Sequence, residues 1–122
     1  VGRRVLLIED EPNIIEALSF ILTRDGWTVH THSDGTTAAA RVRTGSPEVV
    51  VLDAMLPGRS GFDILRELRA DPSTAAVPVL MLTARGQERD RDLALRLGAT
   101  EFMTKPFANA EVLAEVRRLA GG

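Results

Sequence analysis

Three uninterrupted apolar runs stand out along the chain: Val5-Leu6-Leu7-Ile8, Val49-Val50-Val51-Leu52 and Val79-Leu80-Met81-Leu82. Short, continuous and free of polar alternation, each has the pattern of a strand covered on both faces, as in a parallel sheet. Between them the period changes. Ile14, Ile15, Leu18, Ile21 and Leu22 recur at helical spacing behind Pro12, a residue that fits the first turn of a helix, and Asp25-Gly26 ends the segment. Trp27-Thr28-Val29-His30-Thr31 reads as a second strand, shorter and more polar, and therefore as an edge. Asp34 is placed to cap a helix through about Arg43, and Gly45-Ser46-Pro47 breaks it.

A loop with Pro57, Gly58 and Gly61 leads into a helix from about Phe62 to Ala70. Asp71-Pro72 closes it, because the residue before proline disfavours helical dihedrals. A charged helix from about Gly86 to Leu97 stops at Gly98, and Glu101-Phe102-Met103 forms a fifth strand. The last helix carries Val112, Leu113, Val116 and Leu119 on one face. Five strands alternating with five helices specify an α/β fold: a parallel sheet covered on both faces, with right-handed crossovers. At 122 residues the chain reads as one domain, 1–122, with no linker or internal repeat.

Composition narrows the function classes. The net charge of −2 gives no global pull toward nucleic acid or an anionic membrane, so neither is expected as a direct partner. No cysteine is present, which removes disulfides, thiolate zinc sites and cysteine nucleophiles. No apolar run approaches a membrane span or a signal peptide, so a cytoplasmic location is the expectation. Fourteen of the fifteen basic residues are arginine; the single lysine, Lys105, precedes Pro106. An ammonium is a compact point charge on a flexible stem, suited to one phosphate or carboxylate oxygen at the end of a pocket.

The candidate chemistry gathers at one kind of place. Glu9 and Asp10 follow the first strand, Asp53 ends the third, Thr83 ends the fourth and Lys105 follows the fifth. In an open parallel sheet, ligands bind outside the carboxyl ends of the strands where the strand order reverses. Singly, each residue has an ordinary explanation: Glu9-Asp10-Glu11 as helix-dipole compensation, Asp53 as a turn residue, Thr83 as a helix cap. Together, at the correct ends of four strands, they converge on one pocket. Three carboxylates in one place repel unless a cation joins them, and hard oxygen ligands suit Mg²⁺. A carboxylate nucleophile beside Mg²⁺, an ammonium and a hydroxyl can take a phosphoryl group in line. His30 and His32, on or after the second strand, read as surface residues outside this pocket.

On Leu7-Ile8-Glu9-Asp10-Glu11-Pro12, Asp53 through Gly58, Leu82-Thr83-Ala84-Arg85 and Gly98 through Phe107, the chain resembles the receiver domains of two-component response regulators over essentially its whole length. The resemblance implies a flavodoxin-like, doubly wound (βα)5 sheet with strand order 2-1-3-4-5. It implies that Asp53 is the phosphoacceptor, fed by a histidine kinase or a phosphotransfer protein. Mg²⁺ would be held by Glu9, Asp10, Asp53 and the Met55 carbonyl. Lys105 would pair with the phosphoryl group, Thr83 would swing toward it, and Phe102 would be the switch aromatic. The helix after Pro12 would dock the phosphodonor, and helix four, strand five and helix five would carry the output.

Within that family the spacing resembles the winged-helix transcription-factor subfamily. An output module would then follow Gly121-Gly122 or be supplied by a partner protein. Three departures are visible. Phe102 lacks the hydroxyl of the commoner tyrosine. Glu101 and Glu115 form a like-charge pair where the subfamily usually has an acid and an arginine, while Arg91 and Glu111 keep the means to pair. Ala108 stands where a capping serine is common. Met55 and Arg85, which flank the phosphate in this family, offer no group to orient water, which implies a persistent phosphoaspartate. The competing readings are an aspartyl-phosphate phosphohydrolase, a flavodoxin-like cofactor carrier and a degenerate receiver that only binds proteins. The first wants an acid two residues after the nucleophile, where this chain has Met55; turnover catalysis is therefore not expected.

Overall fold

The three apolar runs become the middle of a five-stranded parallel sheet in the computed structural model, which describes residues 3–84 and 88–121. β1 (Arg4–Ile8), β3 (Val49–Asp53) and β4 (Val79–Thr83) lie inside, with β2 (Thr28–His32) and β5 (Glu101–Thr104) at the edges. Every pairing is parallel, as the alternation of elements predicts, and the order β2-β1-β3-β4-β5 is the one the family resemblance implies. The connecting helices are α1 (Pro12–Arg24), α2 (Ala38–Gly45), α3 (Gly61–Ala70), α4 (Glu88–Leu97) and α5 (Asn109–Leu119).

Strand periodicity sorts the apolar runs into two cores. Leu6, Ile8, Val50, Leu52, Val79 and Met81 pack against Val42 of α2, Ile64, Leu65 and Leu68 of α3, and Ala94 of α4. Val5, Leu7, Val49, Val51, Leu80 and Leu82 face Leu18 and Leu22 of α1 and Val112 and Val116 of α5. Because both faces are covered, no strand interior needs polar positions, which is why the runs are continuous. Truncating a fully buried leucine such as Leu65 or Leu80 to alanine would cost about 2–5 kcal/mol. β1 pairs with β2 on one side and β3 on the other, so the chain reverses its direction of growth there. The loops after β1 and β3 consequently flank the crevice at the switch point.

Several local expectations shift. The edge strand begins at Thr28, not Trp27. Trp27 is instead buried below it, donating its indole N–H to Asp25 (3.2 Å), with the Arg3 guanidinium 4.9 Å from its ring. Asp34 does not cap α2: its Oδ1 accepts from the amide and hydroxyl of Thr36, an Asx turn that uses up the carboxylate before the helix begins. α2 starts at Ala38 behind Thr37, which gives no side-chain cap. α3 starts one residue earlier than predicted because Ser60 Oγ accepts from the Asp63 amide (3.3 Å). At α5, Ala108 has no acceptor, so only the return half of a capping box exists, Glu111 accepting from the Ala108 amide (3.1 Å). The expected start of α4 at Gly86, and Arg85 before it, lie outside the described residues.

Candidate functional site

Glu9 extends the β1 ladder by one bond, its amide donating to His32 O (3.0 Å), and this fixes a side chain that is fully buried. Its Oε2 accepts from the amides of Asp10 and Glu11, each at 3.1 Å. Asp53, the last residue of β3, is almost as buried, with Oδ1 accepting from the Met55 amide (3.1 Å). Asp10 stays exposed at the rim. One carboxylate oxygen from each of Glu9, Asp10 and Asp53 falls within 4.8 Å of the others.

Two close backbone contacts hold the strand end that carries Asp53. The Ala54 amide donates to Leu82 O and the Gly61 amide to Ala54 O, both at 2.9 Å. A Cβ on Gly61 would sit 2.3 Å from Asp53 O and 2.8 Å from Ala54 Cα. Only glycine lets α3 begin this close to the end of β3. Opposite, the Lys105 amide donates to Thr83 O (2.7 Å), and a cis peptide joins Lys105 to Pro106. The ammonium reaches three carboxylates: Glu11 Oε1 at 3.1 Å, Glu9 Oε1 at 3.3 Å and Asp53 Oδ2 at 3.4 Å.

Among the described residues, one cation therefore serves an excess of negative charge. Burial pushes the Glu9 carboxyl up to about 7; the Glu11 amide opposes this, the adjacent Asp53 carboxyl adds to it, and Lys105 offsets only part. For Lys105, partial burial pulls the pKa down, but the bond to Glu11 and the charges of Asp53, Glu9 and Glu11 outweigh it, so the net direction is up. Glu9 Oε1, although within ion-pair distance of Lys105, has no hydrogen-bond partner. A buried, unpartnered carboxylate oxygen facing two further carboxylates is the donor set that a hard divalent cation satisfies, so the residues fit Mg²⁺.

Thr83 is fully buried and its hydroxyl, like Glu9 Oε1, lacks a partner. It does not cap α4. Met81 pairs with Phe102 and Thr83 with Thr104, so Thr83 and Phe102 project from the same face of the sheet. Phe102 is half-buried against the core beneath α3 and α4. Met55 puts its side chain into solvent (70% exposed), while its amide holds Asp53. His30 is exposed on the edge strand; His32 lies 2.7 Å from Thr37 Oγ1, and neither contacts the ammonium.

Two features escaped the sequence reading. Glu11 fitted helix-dipole compensation, yet it holds Lys105. In sequence Glu101 and Glu115 form a bare like-charge pair, whereas Arg118 Nη2 bridges them at 2.7 and 2.6 Å. Its spacing of three from Glu115 is a usable helical signal; its contact with β5 becomes visible only once α5 is packed.

The response regulator receiver domain family matches residues 5–117. The chain is 43% identical over 94% of its length to a protein described as a probable transcriptional regulatory protein, TcrX of Mycobacterium tuberculosis. It is 40% identical over 98% of its length to the alkaline phosphatase synthesis transcriptional regulatory protein PhoP of Bacillus subtilis. The match covers 48% and 49% of those two proteins, so the chain spans about half the length of these relatives. Among solved structures, the receiver domain of the sensor histidine kinase PA1611 of Pseudomonas aeruginosa, with magnesium coordinated in its active-site cleft, superposes with a TM-score of 0.89 at 30% identity, covering 100% of both chains. The fold, the carboxylate pocket around one lysine and the extent of these likenesses lead to one conclusion: the chain belongs to the response regulator receiver domain family of two-component signalling.

Proposed function

We propose that Asp53 accepts a phosphoryl group from a histidine kinase or phosphotransfer protein and that the resulting charge change switches the α4-β5-α5 surface. The observation that carries this reading is a buried Asp53 carboxylate 3.4 Å from the only lysine in the chain and clustered with two further carboxylates. An Asp53 oxygen attacks phosphorus in line; the new P–O bond forms as the bond to the donor's nitrogen or oxygen breaks, and the donor keeps the electron pair. Glu9, Asp10 and Asp53, with the Met55 carbonyl, would hold Mg²⁺, which supplies neutralisation of the phosphoryl oxygens. Lys105 pairs with the transferred group, and Thr83, whose buried hydroxyl lacks a partner, turns to it. That turn leaves room on the shared sheet face for the Phe102 ring, so a local charge event biases a two-state surface.

The same reading extends to the whole protein. Residues 1–122 act as one receiver unit in the cytoplasm. No described helix is long and apolar enough to cross a membrane. Output is made through a further module or a partner, and not by direct contact of this domain with nucleic acid. Met55 provides no acid for turnover and nothing to orient water, which supports a switch with a lasting phosphoaspartate over a phosphohydrolase. Intact mass after incubation with acetyl phosphate and Mg²⁺ tests the assignment. A single phosphoryl adduct, absent in Asp53→Asn and without Mg²⁺, is the expected result; an adduct that survives Asp53→Asn overturns it.

A further inference from the structure

We infer that Glu11 is a positioning residue that occupies Lys105 in the unphosphorylated domain and must release it when a phosphoryl donor arrives. The inference rests on the reading of Asp53 as phosphoacceptor and deepens it. Glu11 holds the N-cap position of α1, where a short side chain such as Asp or Ser would accept from the first free amides of the helix. Here no such bond forms: its main-chain oxygen accepts from Ile14 and Ile15, and its side chain turns away from the helix. That side chain makes the shortest of the three Lys105 contacts, 3.1 Å, and the only one with hydrogen-bond geometry.

The partners differ in what they can do next. Glu9 and Asp53 are buried and fixed by main-chain amides, so they stay where they are. Glu11 has a side chain 56% exposed and can leave into water, where a carboxylate is well solvated. A phosphoryl group bound for Asp53 needs the same ammonium. The Glu11 carboxylate stands in its place, adding a negative charge at the mouth through which an anionic donor must pass. An ion pair this exposed is worth up to about 1 kcal/mol, equivalent to roughly two- to five-fold in a rate or binding constant.

The test is single-turnover phosphorylation by acetyl phosphate at saturating Mg²⁺, followed by intact mass, for wild type, Glu11→Gln and Glu11→Asp. With Glu11→Gln, the acetyl phosphate concentration for half-maximal rate falls about two- to five-fold and the maximal rate changes less. The gap narrows as salt rises from about 0.05 to about 0.5 M. Glu11→Asp keeps the charge but is shorter by one bond, about 1.5 Å, and loses the contact; it should therefore behave like Glu11→Gln. Equal half-saturation in wild type and Glu11→Gln overturns the inference. So does a Glu11→Asp variant that matches wild type while Glu11→Gln improves, because the effect is then a distant field and not this contact. Absence of any adduct in all three proteins overturns the Asp53 reading itself, and this inference with it.

Discussion

Two clusters in this domain place a single cation among carboxylates, and they behave in opposite ways. On the surface, Arg118 joins Glu101 to Glu115. Arg118 is more than half exposed and both carboxylates are partly open to water, so each charge there has a partner or solvent. At the sheet's switch point, Lys105 faces Glu9, Glu11 and Asp53, two of them buried, and the hydroxyl of Thr83 and one oxygen of Glu9 have no partner. The surface cluster is finished; exposed pairs of this kind contribute little either way. The pocket cluster is unfinished, since burial of unpaired charge is costly unless a cation or a phosphoryl group completes it. A function that depends on adding charge needs a place where charge balance is incomplete.

That contrast can be broken by exchanging what each cluster depends on. Lys105→Ala removes the one cation that the described residues bring to these carboxylates. The rate of phosphorylation by acetyl phosphate should fall by about 100-fold, as for loss of one electrostatic stabiliser at a reacting group, measured by quenched-flow mass spectrometry. Gly61→Ala forces a Cβ to within 2.3 Å of Asp53 O and should destabilise the fold by about 2–3 kcal/mol in urea titration. The surviving folded protein should also phosphorylate more slowly, because the strand end bearing Asp53 has been displaced.

The pH dependence carries a definite sign. Glu9 ordinarily titrates near 4.5 and in the fold at about 7, so the folded protein binds this proton more tightly than the unfolded chain does. Its contribution to stability is fully present below about 4.5 and is lost as pH rises through about 7. In chelator, urea titrations at the two ends of this window should differ by on the order of 2 kcal/mol from this group. Glu9→Gln should flatten the profile. The smallest effect belongs to the finished cluster: Arg118→Ala should leave both the phosphorylation rate and the denaturation midpoint within experimental error.

The sequence was most readable where burial is two-sided. Val5 through Ile8, Val49 through Leu52 and Val79 through Leu82 admit no other strand reading, and the residues that end or follow β1, β3 and β5 do meet in one pocket. It was least readable where one polar side chain has two possible partners. Asp34 is a plausible helix cap until its carboxylate is taken by Thr36. Glu11 looks like a charge placed for the helix dipole until Lys105, 94 residues away, takes it. Arg118 is an ordinary surface arginine until α5 is laid beside β5. Local pattern records the period of burial, while the choice between partners is settled by packing. Gly61 falls between these cases: a loop glycine in the sequence, it matters because α3 begins in van der Waals contact with the Asp53 backbone.

Calorimetric titration of Mg²⁺ into the metal-free domain tests most directly whether the pocket is the unfinished cluster. One saturable site per chain is predicted, weakened at least about 10-fold by Asp10→Asn and unchanged by Glu101→Gln. Binding that is absent, or that survives Asp10→Asn at full strength, would contradict the assignment of Glu9, Asp10 and Asp53 as the charge cluster that a cation completes.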